Sequence, residues 1–336
     1  MRDGIALSVI ESSQVGEARR AVMSLADKLG FDPVARGKAA LIVTESATNL
    51  YKHGRQGRLV LQPHPHADVT GIDVLALDKG PGIADLSRCF RDGYSTAGTP
   101  GTGLGAIKRQ AAQLDIYSVV PTGTALLARL WPGAAPARRQ FEVGSVCIPQ
   151  AGEEVCGDTW AVAEKGRHVL VVLADGLGHG LLAAEASRMA VDVLHENVHL
   201  GPAALLECMH QALRCTRGAA VAVAEMDHDN EIIRYAGVGN IAGVVVSDNV
   251  SRSLMSHNGT VGHEARKLQE FTSPFPRGSI LVMHSDGLTA RWGLEPYPGL
   301  MNRDPSLIAG VLYRDAQRGR DDATVVVLRA AEETRG

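Results

Sequence analysis

His168-Val169-Leu170-Val171-Val172-Leu173-Ala174-Asp175-Gly176-Leu177-Gly178-His179-Gly180 is the stretch on which the reading of this 336-residue chain turns. An unbroken run of Val and Leu this long predicts a strand buried on both faces. It stops at a carboxylate followed by spaced glycines, which let the backbone turn and approach another group closely. The same half repeats the pattern. Residues 279–285 run into Asp286-Gly287, Asp321-Asp322 opens the apolar run 323–328, and Asp158 begins the alternating segment 160–163. Four acids at the mouths of four apolar strands repel one another unless a cation stands among them. Carboxylate oxygens suit hard divalent ions, so the simplest partner is a pair of such metals.

The length corresponds to about two domains. A formal charge of -3 offers no basic face for nucleic acid. No apolar run of about eighteen residues is present to span a membrane, and residues 1–30 lack the apolar centre of a signal peptide. These features predict a cytoplasmic protein with neither nucleic acid nor membrane as partner. Cys89, Cys147, Cys156, Cys208 and Cys215 include no C-x-x-C pair, which excludes a zinc knuckle and a disulfide framework. His64 and His66, interleaved with prolines, read as a turn at a strand end.

In the first half, helical periodicity covers residues 12–29 and 33–53, with Pro33 in the first turn of the second helix and Gly54 ending it. Glu45, Asn49 and His53 fall at i, i+4 and i+8 of that helix and share one face. Residues 59–62 and 72–77 read as strands, the latter ending in Asp78-Lys79-Gly80-Pro81-Gly82. A glycine-rich loop follows, Gly98-Thr99-Pro100-Gly101-Thr102-Gly103-Leu104-Gly105, and is expected to feed a helix reaching about Gln113. Such a loop presents backbone N–H groups and a helix N-terminus, which favour polyphosphate. It is neither a Walker loop nor a Rossmann fingerprint, because the Lys-Ser/Thr pair and the preceding strand are missing.

Taken in order, Glu45-x-x-x-Asn49, Asp78-x-Gly80-x-Gly82 and Gly101-x-Gly103-x-Gly105 resemble the GHKL ATPase superfamily, and within it the bacterial switch kinases and anti-sigma factors of the RsbT/RsbW type. The resemblance covers residues 1–132 and implies helices layered on a mixed sheet, an α/β sandwich holding ATP with Mg²⁺. It implies that Asn49 coordinates the Mg²⁺ and that Asp78 accepts from the adenine amino group. Gly80 and Gly82 then let the base approach, Gly101, Gly103 and Gly105 form a lid over the phosphates, and Thr124 supports the adenine end. Glu45 orients the attacking hydroxyl or water.

Residues 133–141, rich in Pro and small side chains, are the expected linker. Beyond them, expected strands at 141–148, 159–163, 219–225, 232–237 and 241–246 mix with helices at 181–195, 202–215 and 306–317. Such a mixture suggests sheets packed face to face with helices outside.

The order Gly157-Asp158, Asp175-Gly176, Asp286-Gly287, Asp321-Asp322, with Gly178-His179-Gly180 and Gly237-Val238-Gly239-Asn240, resembles the metal-dependent protein phosphatase (PPM) family, in particular its SpoIIE and RsbX branch. This second resemblance covers residues 142–330. It implies an α/β/β/α sandwich, hence an α+β chain of two domains, and a phosphoserine/phosphothreonine phosphatase using two Mn²⁺ or Mg²⁺ ions. Asp175 would bridge the ions, the Gly176 carbonyl and Asp158 would serve one, and Asp286 and Asp321 the other. Asp322 is an alternative to Asp321. The expected arginine ahead of the first acid has no counterpart, and Cys156 replaces a glycine. Together the two resemblances imply a bifunctional regulator whose partner is a STAS-domain protein phosphorylated on Ser or Thr. The resemblances also imply a sigma factor or a downstream phosphatase as a further partner. The alternative is a first half that only binds ATP and a sigma factor or STAS protein, with the second half the sole enzyme.

Overall fold

The computed structural model describes residues 3–66, 69–86, 103–137, 139–248, 250–265 and 267–331. Two units emerge, one formed by Met1–Arg138 with Asn302–Arg314, the other by Arg139–Met301 with Asp315–Gly336.

The first unit contains β1 (Ile5–Ser8), α1 (Ser13–Lys28), α2 (Pro33–His53), β2 (Arg58–His66), β3 (Val69–Asp78), α3 (Gly103–Gln110), β4 (Gln113–Val119) and β5 (Gly123–Leu130). Its sheet has the order β1-β2-β3-β5-β4 and is antiparallel throughout instead of the expected mixed sheet, since each described neighbouring pair runs in opposite directions. Alternation along the strands divides their side chains between two faces. Ile72, Val74 and Ala76 of β3 and Leu126, Ala128 and Leu130 of β5 join α1, α2 and α3 in one core. Burying each larger aliphatic side chain there is worth about 1.5–3 kcal/mol. Helix α2 starts where Asp32 accepts the Ala35 amide at 2.7 Å, with Pro33 just inside.

Two local expectations are corrected. His64 and His66 lie in strand β2 rather than in a turn, paired with Gly71 and Val69. Among the described residues, strand β1 pairs with β2 only from Arg58 to Leu61, so Pro63 and Pro65 lie beyond that ladder, where a missing donor is tolerated. Helix α3 ends at Gln110 instead of about Gln113, which opens β4.

The second unit begins with β6 (Phe141–Ile148), β7 (Asp158–Lys165), β8 (His168–Gly176), α4 (Leu181–Glu196), α5 (Pro202–Ala212), β9 (Ala219–Asp227) and β10 (Ile232–Val238). It continues with β11 (Ala242–Ser247), β12 (Val250–Leu254), β13 (Phe271–Pro274), β14 (Ile280–His284) and β15 (Ala323–Ala330). Two antiparallel sheets, β13-β10-β9-β8-β7 and β12-β11-β14-β15-β6, pack face to face. Val169, Val171 and Leu173 of β8 enter the core shared with Met283, Val326 and Leu328. Leu170, Val172 and Ala174 face α4 and α5, meeting Leu194, Leu205 and Met209. Both faces of β8 are covered, which is why its sequence does not alternate.

The last helix, α6 (Pro305–Ala316), is expected in the second domain from its place in the sequence, yet its residues up to Arg314 group with the first unit. Every residue from Pro305 to Arg314 is buried, the mark of a helix covered on all sides. Against the sheet face that α1 and α2 leave open, Gly310 comes close to Leu75 and Leu77 of β3, and Arg58 lies 5.4 Å over the Tyr313 ring. At the helix start, Arg129 donates to Asp73 at 2.6 and 3.0 Å, to Asp304 at 3.1 and 3.2 Å and to the Ser306 hydroxyl at 2.9 Å. Among the described residues, no helix is long and apolar enough to cross a membrane.

Candidate functional site

The acids of the second unit gather at one end of its strands. Pairing of β7 with β8 sets Asp158 directly opposite Asp175. A cleft of about 630 Å³ opens there, lined by Asp175, Asp286 and Asp321 together with Asn240, His179 and Arg320. Gly176 ends β8 where a Cβ would stand 2.0 Å from the Ala183 carbonyl oxygen, so only glycine lets α4 begin this close to the strand. Gly287 likewise gives Asp286 its place, since a Cβ would stand 1.9 Å from the Asp322 carbonyl oxygen.

Asp158 does not line the cleft; it is 1 % exposed, and its Oδ2 has no hydrogen-bond partner among the described residues. Burial pushes its carboxyl up to about 7, with Asp322 and Asp321 adding repulsion against the opposing effect of the Ser285 hydroxyl. Burial also pushes Asp175 up to about 9, reinforced by Asp158, Asp286, Asp321 and Asp322. Carboxyls so destabilised as anions want a compensating cation. The donor set is all oxygen, which fits hard divalent ions rather than softer ones. The side chains surround the cleft without closing on one point: among the described residues, no three His, Cys, Asp or Glu side chains stand at metal-ligand spacing.

Asp321 and Asp322 are turned to different partners. Asp321 lines the cleft, whereas Asp322 accepts the Gln150 amide at 2.8 Å and the Gly157 amide at 3.0 Å. Asn240 and His179 each make a side-chain contact here, and a basic residue stands on the wall. Asn240 Nδ2 donates to Asp286 Oδ2 at 2.8 Å, His179 Nδ1 lies 2.6 Å from Glu153 Oε1, and Arg320 stands on the cleft wall beside Asp321. The first two join positions remote in sequence, so the motifs that contain Asn240 and His179 do not say what these side chains meet. His284 is closed off: Trp292 Nε1 donates to its Nε2 at 2.9 Å, its Nδ1 lies 2.8 Å from the Ser285 carbonyl, and burial lowers its pKa.

In the first unit, a Cβ on Gly103 would stand 3.1 Å from Glu45 Oε2 and 3.4 Å from Asn49 Oδ1. The face of α2 carrying these two side chains therefore meets the N-terminus of α3, an arrangement suited to phosphates and their cation. Gly105 is buried in α3, and Gly101 lies outside the described residues. Asp78 ends β3 opposite Thr124 of β5. Its Oδ1 accepts the Gly80 amide at 2.6 Å, and burial raises its pKa against the Gly80 and Thr124 amides and Arg314. Gly82 has φ +74° and packs on the Val119 carbonyl. Ser118 was missed: its hydroxyl takes the Ile83 amide at 2.8 Å and lies 2.9 Å from the Thr124 hydroxyl, tying the glycine turn to β5.

Residues 10–130 match the histidine kinase-like ATPase domain family, and residues 165–331 match the stage II sporulation protein E (SpoIIE) family. Serine/threonine-protein kinase RsbT of Bacillus subtilis (strain 168) is 29 % identical over 131 residues, 39 % of this chain and 98 % of that protein. Phosphoserine phosphatase RsbX of the same organism is 26 % identical over 142 residues, 42 % of this chain and 71 % of that protein. Among solved structures, a chain described under the bacterial stressosome, a modular system adapted to control secondary messenger signalling, is 26 % identical with a TM-score of 0.53, covering 57 % of this chain and all (100 %) of that one. RsbX in complex with magnesium, 20 % identical, shares the fold with a TM-score of 0.51 over 59 % of this chain and 99 % of its own.

Proposed function

We infer, from a chain whose residues 10–130 match the histidine kinase-like ATPase family and whose residues 165–331 match the SpoIIE family, that it sets the phosphorylation state of a partner protein from both directions. The second unit removes phosphate from phosphoserine or phosphothreonine, and the first binds ATP with Mg²⁺ and transfers phosphate. The partner is a STAS-domain protein of a partner-switching pathway, and the compartment is the cytoplasm.

One observation carries the hydrolytic reading: Asp158 and Asp175, facing each other across β7 and β8, are held as carboxyls that their surroundings disfavour as anions. Asp175, Asp158 and the Gly176 carbonyl on one side, with Asp286 and Asp321 on the other, would hold two Mn²⁺ or Mg²⁺ ions. When bound, such a pair supplies a water ionised near neutral pH and offsets the charge of the phosphoryl group. Asn240 holds Asp286 in orientation, and Arg320 on the wall offers its guanidinium to the phosphate oxygens. Asp322, occupied by two backbone amides, braces the turn before β7 instead of serving as a ligand.

In the first unit Asn49 serves the Mg²⁺, and Glu45 orients the partner's hydroxyl toward the terminal phosphate. Asp78 reads the adenine amino group, Gly80 and Gly82 admit the base, Thr124 supports it, and Gly101, Gly103 and Gly105 cover the phosphates. The proximity of Glu45 to Gly103 supports transfer over mere binding.

Two assays test this. Asp175→Asn should abolish Mn²⁺-dependent hydrolysis of p-nitrophenyl phosphate and of a phosphorylated STAS protein, and retained hydrolysis would refute the metal assignment. Wild-type protein with radiolabelled ATP should label the STAS protein, and Glu45→Gln should not. ATP binding without label transfer would leave the first unit a binding module.

A further inference from the structure

Asp78 is fixed through its carbonyl as well as its carboxylate, and the group on the carbonyl comes from far along the chain. Arg314 of α6 donates from Nη1 to the Asp78 carbonyl oxygen at 2.9 Å, across 236 positions of sequence. On the other side that carbonyl packs on Gly123, where a Cβ would stand 2.1 Å away and φ is +119°. The last peptide of β3 is thus pinned between a glycine backbone and a guanidinium.

Arg314 is only 9 % exposed, so this contact is made in a dry setting where a charged hydrogen bond is strong. The rest of α6 sets its depth: Gly310 lies one turn earlier against Leu75 and Leu77, which precede Asp78 on the same strand. Asp78 and Gly80 are joined by a 2.6 Å bond, so a shift of the Asp78 peptide would carry the glycine turn with it.

We propose that Arg314 is a positioning residue for nucleotide recognition: by holding the Asp78 carbonyl it sets where the Asp78 carboxylate presents itself to the base, so a segment from the distal half of the sequence determines adenine selectivity in the first unit. This rests on the reading of Asp78 as the adenine acceptor. The guanidinium also acts on the carboxylate itself, since burial raises the Asp78 pKa and the Arg314 charge opposes that rise, favouring the accepting form.

The test uses the full chain and titrates ATP and GTP, each with Mg²⁺, into wild type, Arg314→Ala, Arg314→Lys, Leu307→Ala and Asp78→Asn. Leu307 is a fully buried residue of α6, so Leu307→Ala is a control that loosens the helix while keeping the Arg314 guanidinium. Urea melts show that each protein is folded at the titration temperature. Arg314→Ala should weaken ATP about tenfold, the effect of one charged hydrogen bond, and shrink the preference for ATP over GTP. Arg314→Lys should recover part of both, and Leu307→Ala should keep the wild-type preference. If Arg314→Ala and Leu307→Ala bind alike while Asp78→Asn loses ATP, Asp78 reads the base but Arg314 does not position it, and the proposal falls. If Asp78→Asn binds ATP as wild type does, the adenine reading fails and the proposal with it.

Discussion

Asp73 in the first unit and Asp158 in the second are both buried in sheets, at 0 % and 1 % exposure, yet their carboxyls move in opposite directions. Burial alone would raise Asp73, but Arg129 at 2.6 Å and His64 at 3.1 Å overcome it and hold the group well below the usual carboxylate range. Asp158 has carboxylates as charged neighbours and is pushed up to about 7. Burial is common to both; the sign of the neighbouring charge decides the outcome. The first arrangement is a complete ion cluster that secures α6 to the sheet. The second is an incomplete one, the signature of a site built for something that arrives.

The largest effect should come from removing the cation of the complete cluster. Arg129→Met leaves Asp73 and Asp304 buried without their guanidinium and should cost about 3–5 kcal/mol. The measurement is the urea midpoint of the transition that includes the first unit. Replacing Asp73, Arg129 and Asp304 together by Leu, Met and Asn should cost much less, because no charge is then stranded. Equal losses in the single and triple variants would mean that packing, not charge pairing, holds the helix.

The reciprocal change belongs to the incomplete cluster. Asp175→Asn removes one disfavoured anion, so metal-free protein should gain stability at pH 8, on the order of a few kcal/mol. The same variant should lose the stabilisation that wild type gains from Mn²⁺. A variant less stable than wild type without metal would show that Asp175 has a structural partner in the fold.

Titration sharpens the contrast further. Asp73 has a depressed pKa, so its contribution is present above about pH 4 and is lost as pH falls below that. Asp158 and Asp175 have raised values of about 7 and about 9, so the folded state binds more protons than the unfolded one between about pH 4 and those values. Metal-free stability of the second unit should therefore decline as pH rises from 5 to 9. The rise in Tm on adding Mn²⁺ should be larger at pH 8 than at pH 6, since the ions need ionised carboxylates. A Tm of metal-free protein that climbs over this range would contradict the arrangement of acids described here.

What the sequence made legible follows from how local each cause is. Strand β8 announces itself because both of its faces are covered and its apolar run is continuous. Asp175 and Asp286 are legible because each is followed by a glycine that the close approach of α4 or of the Asp322 backbone demands. Other features depend on partners distant in the chain. Pro63 and Pro65 suggest a turn until the short reach of β1 is known. The choice between Asp321 and Asp322 depends on the amides of Gln150 and Gly157. Helix α6 has the composition of a helix covered all round, but nothing local says that the cover is β3. The Gly237-Val238-Gly239-Asn240 motif does not say that Asn240 meets Asp286, and Arg314 on the Asp78 carbonyl has no sequence pattern at all.

The smallest expected effect isolates packing from charge in the first unit. A Cβ on Gly310 would stand 3.3 Å from the terminal carbons of Leu75 and of Leu77, tighter than ordinary contact but against flexible side-chain ends. Alanine is the better helix former by about 1 kcal/mol in a helix interior. Gly310→Ala should therefore be close to neutral, within about 1 kcal/mol, as the helix gain offsets the crowding of the two leucines. Gly310→Leu must displace them and should cost about 1–3 kcal/mol. If Gly310→Ala were as damaging as Arg129→Met in the same urea series, fit at the leucines would outrank the ion cluster in fixing α6, and the paired charges at its start would be an accompaniment instead of the cause.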